Sequence, residues 1–145
     1  MKKFYSIIFV FLFVQLNVLA QFNVCPTGTY TYGVAYAYPV DDQVYWGSRR
    51  DATGTIVTTD GGNTWTQSSF TDPKSFPVYC IHAFDADIAF VTASTIYKTT
   101  NRGTTWTAAT GVFTNASSFP NTIHFFDQNN GVAMGDPVDG YFEIY

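Results

Sequence analysis

Two histidines, His82 and His124, stand in matching contexts, Ile81-His82-Ala83-Phe84-Asp85 and Ile123-His124-Phe125-Phe126-Asp127. Imidazole binds transition metals and carries protons near neutral pH. Two imidazoles without a third ligand do not make a metal site. The equivalence of the two segments accounts for their placement, so no metal and no other cofactor is expected. Asp136 and Asp139, in Asp136-Pro137-Val138-Asp139-Gly140-Tyr141, are a second candidate. Paired carboxylates can serve as acid and base in glycoside cleavage, but only at a separation in space that spacing along the chain does not fix. The stretch reads as a loop that projects from one rim, with Asp136, Asp139 and Tyr141 as ligand-contacting residues, or as a turn with two solvated carboxylates. Cys25 and Cys80 are the only cysteines. In an oxidising compartment they either pair, closing a loop of roughly 55 residues worth about 4 kcal/mol, or remain two small buried groups. No residue is assigned a catalytic role.

The N-terminus indicates where such chemistry would operate. Lys2 and Lys3, the apolar run from Ile7 to Val14, and Val18-Leu19-Ala20 read as a signal peptide cleaved after Ala20. The run is shorter than the roughly 20 residues of a membrane span, and Gln15 and Asn17 interrupt its end. Asn23 and Val24 do not form a lipobox before Cys25. Residues 1–20 are therefore expected to be removed, leaving 21–145 secreted or at the cell surface without membrane insertion. Cleavage leaves five basic residues against 11 acids, a net charge of −6. Counterion release from nucleic acid needs clustered Lys and Arg, so nucleic acid is not an expected partner.

The elements that would hold these residues follow from a repeat. Thr58-Thr59-Asp60-Gly61-Gly62-Asn63-Thr64-Trp65 returns as Thr99-Thr100-Asn101-Arg102-Gly103-Thr104-Thr105-Trp106, 41 residues later, and the two histidine segments are 42 apart. A period near 40 made of several short strands is the signature of propeller blades. Tyr30, Tyr32, Val34, Tyr36 and Tyr38 alternate with small residues, which predicts an inner strand with an aromatic face. Val44–Gly47, Thr55–Thr58 and Thr64–Gln67 complete blade one, about 29–68. Val78–Phe84, Ile88–Thr92, Ile96–Thr99 and Thr105–Ala108 make blade two, about 78–108. Thr122–Phe126, Val132–Gly135 and Tyr141–Tyr145 belong to a partial blade three, about 121–145. The expected fold is all-β: four-stranded antiparallel blades, two complete and one partial, with essentially no helix after residue 20.

The eight-residue motif resembles the Asp box, or BNR repeat, Ser/Thr-x-Asp-x-Gly-x-Thr-Trp. Thr58, Asp60, Gly62, Thr64 and Trp65 match every defined position, while the second copy keeps Thr99, Gly103, Thr105 and Trp106 but carries Asn101 for the acid. Asn retains the carbonyl that accepts backbone N–H bonds in an Asx-type turn. The residues from Phe126-Asp127 through Gly131-Val132-Ala133-Met134-Gly135 resemble the propeller repeats of photosystem II stability and assembly factors and of sortilin-type receptors. The resemblance implies a structural role for the boxes, on the side away from an active site. Sialidases and some endoglucanases share the repeat. The Arg-Ile-Pro stretch that introduces a sialidase's arginine cluster is missing, and Arg49, Arg50 and Arg102 read as exposed loop arginines.

The function expected is a non-catalytic exported binding or scaffold module, with a protein or glycan ligand, monomeric when full length. The alternative is the N-terminal part of an exported glycoside hydrolase whose catalytic residues lie beyond Tyr145. Ile144-Tyr145 aligns with Ile96-Tyr97, two positions before a box threonine, so the gene is expected to continue into a third box near position 147.

Overall fold

The computed structural model describes residues 33–49, 54–68 and 70–145. The signal segment, Cys25, Tyr30, Tyr32 and Arg50 lie outside the described residues. Eleven strands are described, and no helix among these residues. They are β1 (Val34–Pro39), β2 (Tyr45–Arg49), β3 (Thr55–Thr58), β4 (Thr66–Gln67), β5 (Cys80–Ala83), β6 (Ala89–Thr92), β7 (Ile96–Thr99), β8 (Thr107–Ala108), β9 (Pro120–Phe125), β10 (Gly131–Val138) and β11 (Tyr141–Ile144). They form three antiparallel meanders, β1-β2-β3-β4, β5-β6-β7-β8 and β9-β10-β11. The first strands of successive sheets lie side by side, β1 against β5 and β5 against β9. Each sheet is a blade that covers one face of its predecessor.

Each blade opens with the same turn. The Asp41 carboxylate accepts the backbone N–H groups of Gln43 (2.8 Å) and Val44 (2.7 Å). Asp85 does the same for Asp87 and Ile88, both at 2.7 Å, and Asp127 for Asn129 (2.7 Å) and Asn130 (2.8 Å). A short carboxylate satisfies donors that a tight turn would otherwise leave to water. The outer turns, between β3 and β4 and between β7 and β8, are the eight-residue motifs. In the first, Asp60 accepts from Thr64 N (2.9 Å), Thr64 Oγ1 (2.6 Å) and Thr58 Oγ1 (2.7 Å). Thr58 Oγ1 in turn accepts from Gly62 N at 3.0 Å, and the Trp65 indole N–H donates to Gly62 O at 3.1 Å. The second turn repeats this with one reversal. Asn101 accepts from Thr105 N (2.9 Å), but its amide now donates to Thr105 Oγ1 (2.9 Å). Gly61 (φ 67) and Gly62 (φ 93) supply the left-handed backbone, and in the second copy Arg102 (φ 56) takes the first of these positions. Gly61 N donates to Gln43 O and Arg102 N to Asp87 O, so inner and outer turns share one end of each blade.

Between blades the core is aromatic. Trp46 is completely buried, its ring edge-on to Trp106 at 6.2 Å, and its N–H donates to Asp85 O of the next blade at 2.8 Å. Phe70, at the exit of blade one, packs on Tyr97 (5.1 Å) and Trp106 (5.4 Å). Phe113, at the exit of blade two, packs on Tyr145 at 4.8 Å. The connection between blades one and two is fastened by Asp72, buried where it accepts from Ser94 N (3.1 Å), Ser94 Oγ (2.5 Å) and Tyr97 Oη (2.8 Å).

Two expectations need correction. Asp136–Gly140 is not a projecting loop: β10 continues through Val138 and turns tightly at Asp139 (φ 53) and Gly140 (φ 86) into β11. Two successive positive φ values match the right-handed twist of a hairpin, and Asp-Gly is the dipeptide that adopts them most readily. Pro137 is accommodated at an irregularity between Met134 and Pro137. Arg49 is not an exposed loop residue but the buried last residue of β2.

Truncating Trp106 to Ala should cost about 2 kcal/mol in urea unfolding, below the range for a fully buried aromatic because the indole is only partly buried against Trp46 and Phe70. Asn101→Asp should change stability by less than about 0.5 kcal/mol, because Thr105 can rotate its hydroxyl to donate as Thr64 does. A loss larger than 1 kcal/mol would show that the amide donor is required.

Candidate functional site

The register places three side chains at one level of the innermost strands. Tyr38 stands opposite Trp46, His82 opposite Phe90 and His124 opposite Val132. Their rings form a file, with centroids 5.0 Å apart between Tyr38 and His82 and 5.0 Å between His82 and His124. Phe84 flanks His82 at 5.1 Å and Phe126 flanks His124 at 5.2 Å. Tyr38 Oη lies 3.2 Å from His82 Nδ1, a hydrogen bond that a neutral imidazole completes as donor or acceptor according to its tautomer. Burial, and secondarily the neighbouring His124, pull the pKa of His82 below the usual imidazole value. His82 is thus neutral at pH 7, and His124 is exposed at the outer end of the file. Among the described residues no three His, Cys, Asp or Glu side chains are grouped closely enough to hold a metal ion.

The second candidate surface is the β10–β11 hairpin. In these antiparallel meanders it lies at the opposite end of the blade from the Asp41, Asp85 and Asp127 turns. Asp136 accepts from Asn121 Nδ2 at 2.6 Å, Asp139 sits in the turn itself, and Tyr141 is 80% exposed. The two carboxylates therefore do different things: one is engaged within the sheet, the other shapes the turn. Thr58, Asp60, Gly62, Thr64 and Trp65, with Thr99, Asn101, Gly103, Thr105 and Trp106, are all engaged in closing their hairpins. Half-buried Cys80 has its thiol 3.9 Å from Ile81 O, and its pairing with Cys25 falls outside the described residues. Arg102 is exposed and meets Asp87 at 3.2 Å. Such a surface pair adds under about 1 kcal/mol.

Three residues escape sequence reasoning. Asp41 is the first copy of the inner-turn aspartate, visible in hindsight as Asp41-Asp42-Gln43 three to five residues after Tyr38. Tyr38 is the blade-one counterpart of the two histidines, hidden because its ring chemistry differs. Asp72 closes its own turn by accepting from Lys74 N (2.8 Å) and Phe76 N (3.3 Å), but its partners in blade two, Ser94 and Tyr97, lie 22 and 25 residues away and leave no local signal.

No protein-family profile and no curated protein sequence matches the chain. Solved structures do. YCF48 from Cyanidioschyzon merolae superposes with a TM-score of 0.58 at 13% identity, over 80% of this chain and 38% of that one. A structure of YCF48 bound to D1 peptide superposes with a TM-score of 0.59 at 15% identity, over 82% of this chain and 39% of that one. The fold is a β-propeller. It resembles the photosystem II assembly factor, and the chain spans about two fifths of the length of the structures it matches. At this identity the likeness establishes the fold alone, not a shared ligand.

The propeller should respond to acid in two steps. A buried imidazole with a lowered pKa binds fewer protons folded than unfolded, so stability is full above about pH 6.5 and falls as pH drops toward the folded value. His82→Gln should flatten that step in urea midpoints measured from pH 8 to 5. Hydrogen bonds from the Thr64 hydroxyl, the Thr64 backbone and the Thr58 hydroxyl hold Asp60 down to about 2. Its contribution is therefore present above pH 3.8 and lost between 3.8 and 2, and Asp60→Asn should abolish that part alone. Unchanged acid profiles in both variants would refute the assignment.

Proposed function

We propose that this propeller is an exported, non-catalytic binding or scaffold module whose ligand is a segment of another protein. The observation that carries the reading is the fold's likeness to YCF48, which has been solved with a bound D1 peptide. Two features of the chain support it. Tyr141, exposed beside the turn of the β10–β11 hairpin, is the kind of amphipathic anchor that protein interfaces favour. The file of Tyr38, His82 and His124, flanked by Phe84 and Phe126, offers apolar ring faces with a phenol hydroxyl and imidazole nitrogens as hydrogen-bonding groups. That chemistry suits peptide groups better than phosphates. The net charge of −6 after removal of residues 1–20 disfavours polyanionic ligands. Export rests on the N-terminal sequence pattern, with the mature chain beginning at Gln21.

The full chain should bind members of an immobilised peptide library, with Tyr141→Ala or His124→Ala weakening capture at least fivefold while leaving the urea midpoint unchanged. Binding confined to a glycan array, or turnover of fluorogenic glycosides, would replace this reading with a carbohydrate one. N-terminal sequencing of the exported protein should begin Gln21-Phe22-Asn23, and a product still starting at Met1 would refute export by cleavage.

A further inference from the structure

The connections that leave blades one and two repeat as well. Phe70-Thr71-Asp72-Pro73-Lys74-Ser75-Phe76-Pro77 returns as Phe113-Thr114-Asn115-Ala116-Ser117-Ser118-Phe119-Pro120, 43 residues later. Both copies fold into the same turn. Asp72 accepts from Lys74 N at 2.8 Å, and Ser75 N donates to Asp72 O at 2.9 Å. Asn115 likewise accepts from Ser117 N at 2.9 Å, and Ser118 N donates to Asn115 O at 3.1 Å. Each connection is also pinned to the following blade by a carboxylate, a hydroxyl and a tyrosine, but the poles are exchanged. In the first, the carboxylate sits on the connection: Asp72, 4% exposed, accepts from Ser94 Oγ (2.5 Å) and Tyr97 Oη (2.8 Å). In the second it sits on β11, where Glu143 accepts from Ser118 Oγ at 2.9 Å and from Tyr145 Oη at 3.2 Å. The exchange releases Asn115 from the task that its counterpart Asp72 performs. Asn115, Ala116 and Ser117 are all exposed, and among the described residues neither Asn115 Nδ2 nor Ser117 Oγ has a hydrogen-bond partner.

The released turn has the make-up of a glycan acceptor: an asparagine, a residue other than proline, then a hydroxyl residue. The blade-one copy fails at all three positions, with Asp72, Pro73 and Lys74. We infer that Asn115 is a modification site, the acceptor of one N-linked oligosaccharide delivered from a lipid pyrophosphate carrier. In the transfer, Asn115 Nδ2 bonds to the anomeric carbon of the first sugar and gives up one proton. The bond from that carbon to the carrier's terminal phosphate oxygen breaks, and the lipid pyrophosphate leaves. A bulky hydrated group needs a surface position and a nitrogen free of protein bonds, and both conditions hold here. The turn is closed by Asn115 Oδ1 and O alone, so substitution at Nδ2 leaves its hydrogen bonds intact. The inference rests on the reading of the chain as exported and does not depend on which ligand the propeller serves.

The test presents the folded full chain to a purified oligosaccharyltransferase with a lipid pyrophosphate-linked oligosaccharide, followed by mass spectrometry of the tryptic peptide that begins at Gly103. One oligosaccharide is expected on that peptide, and release by peptide N-glycosidase in H₂¹⁸O should leave an ¹⁸O label at position 115. Asn115→Gln and Ala116→Pro should each reduce transfer at least tenfold with the urea midpoint unchanged, since the equivalent turn already carries Pro73. Ser117→Thr, which keeps the hydroxyl, should retain transfer. A wild-type chain left bare, or transfer indifferent to these variants, would overturn the assignment. The protein recovered after export by its own cells should start at Gln21 and carry the sugar on the same peptide. Exported protein that starts at Gln21 with a bare Asn115 would overturn the modification alone. A chain still starting at Met1 would overturn export, and the modification with it.

Discussion

An indole can be completely buried only if its N–H finds an acceptor, because leaving that donor unpaired in an apolar interior costs more than the burial of a small side chain gains. Trp46 meets this condition through the carbonyl of Asp85, in the first turn of the next blade. That carbonyl is in place because the Asp85 side chain closes its own turn on Asp87 and Ile88. One hydrogen bond therefore joins the core of blade one to the turn chemistry of blade two. Trp106 and Phe70 then pack against the rings so positioned. The angle between blades is set where a directional bond and a close-packed aromatic cluster coincide.

The repeat was legible because its parts are local. Asp or Asn two residues after Thr, with Gly and Trp at fixed offsets, closes a hairpin by hydrogen bonds spanning four residues or fewer, so the sequence carries the whole instruction. The same holds for the inner turns at Asp85 and Asp127. Strand positions followed from these turns, with Thr55–Thr58 and Ile96–Thr99 matching to the residue. The Asp-Gly turn at 139–140 was equally local, but the stretch that holds it, with two aspartates and Pro137, read as a projecting loop or a solvated turn rather than as the end of a strand. The structure places Pro137 at an irregularity where a missing N–H is tolerated.

What could not be read was lateral. Asp72 joins the connection after blade one to Ser94 and Tyr97 through contacts that depend on how two blades stack. Burial pulls its pKa up, yet the hydrogen bonds from Ser94 and Tyr97 outweigh this and keep it below the ordinary carboxylate value. A charged side chain held this way is a structural pin, whereas in the sequence it is one more polar residue before a proline. The ring file was half visible: His82 and His124 announced their equivalence, and Tyr38 did not. Only the register, with all three opposite the residues that face the next blade, shows that one position carries a phenol once and an imidazole twice.

A repeat holds backbone and packing constant, so its exceptions are the places free to carry function. Position 46 and its counterpart show how strongly context rules the constant part: Trp46 is 0% exposed and Phe90 5%, each covered by elements of the sheet that follows it. Burial there is decided by the neighbour, not by the side chain's own strand. The exceptions behave differently. Arg102 replaces a glycine at a left-handed position and places a guanidinium at the turn end. The β10–β11 hairpin is longer than its counterpart in blade two and carries Tyr141 to solvent at the other end. The Tyr38-His82-His124 file alters ring chemistry without altering geometry. The first two changes lie outside the inter-blade core, while the third keeps ring packing against it, since Tyr38 contacts the core cluster and His82 is buried; a fold can vary at such positions without losing its packing.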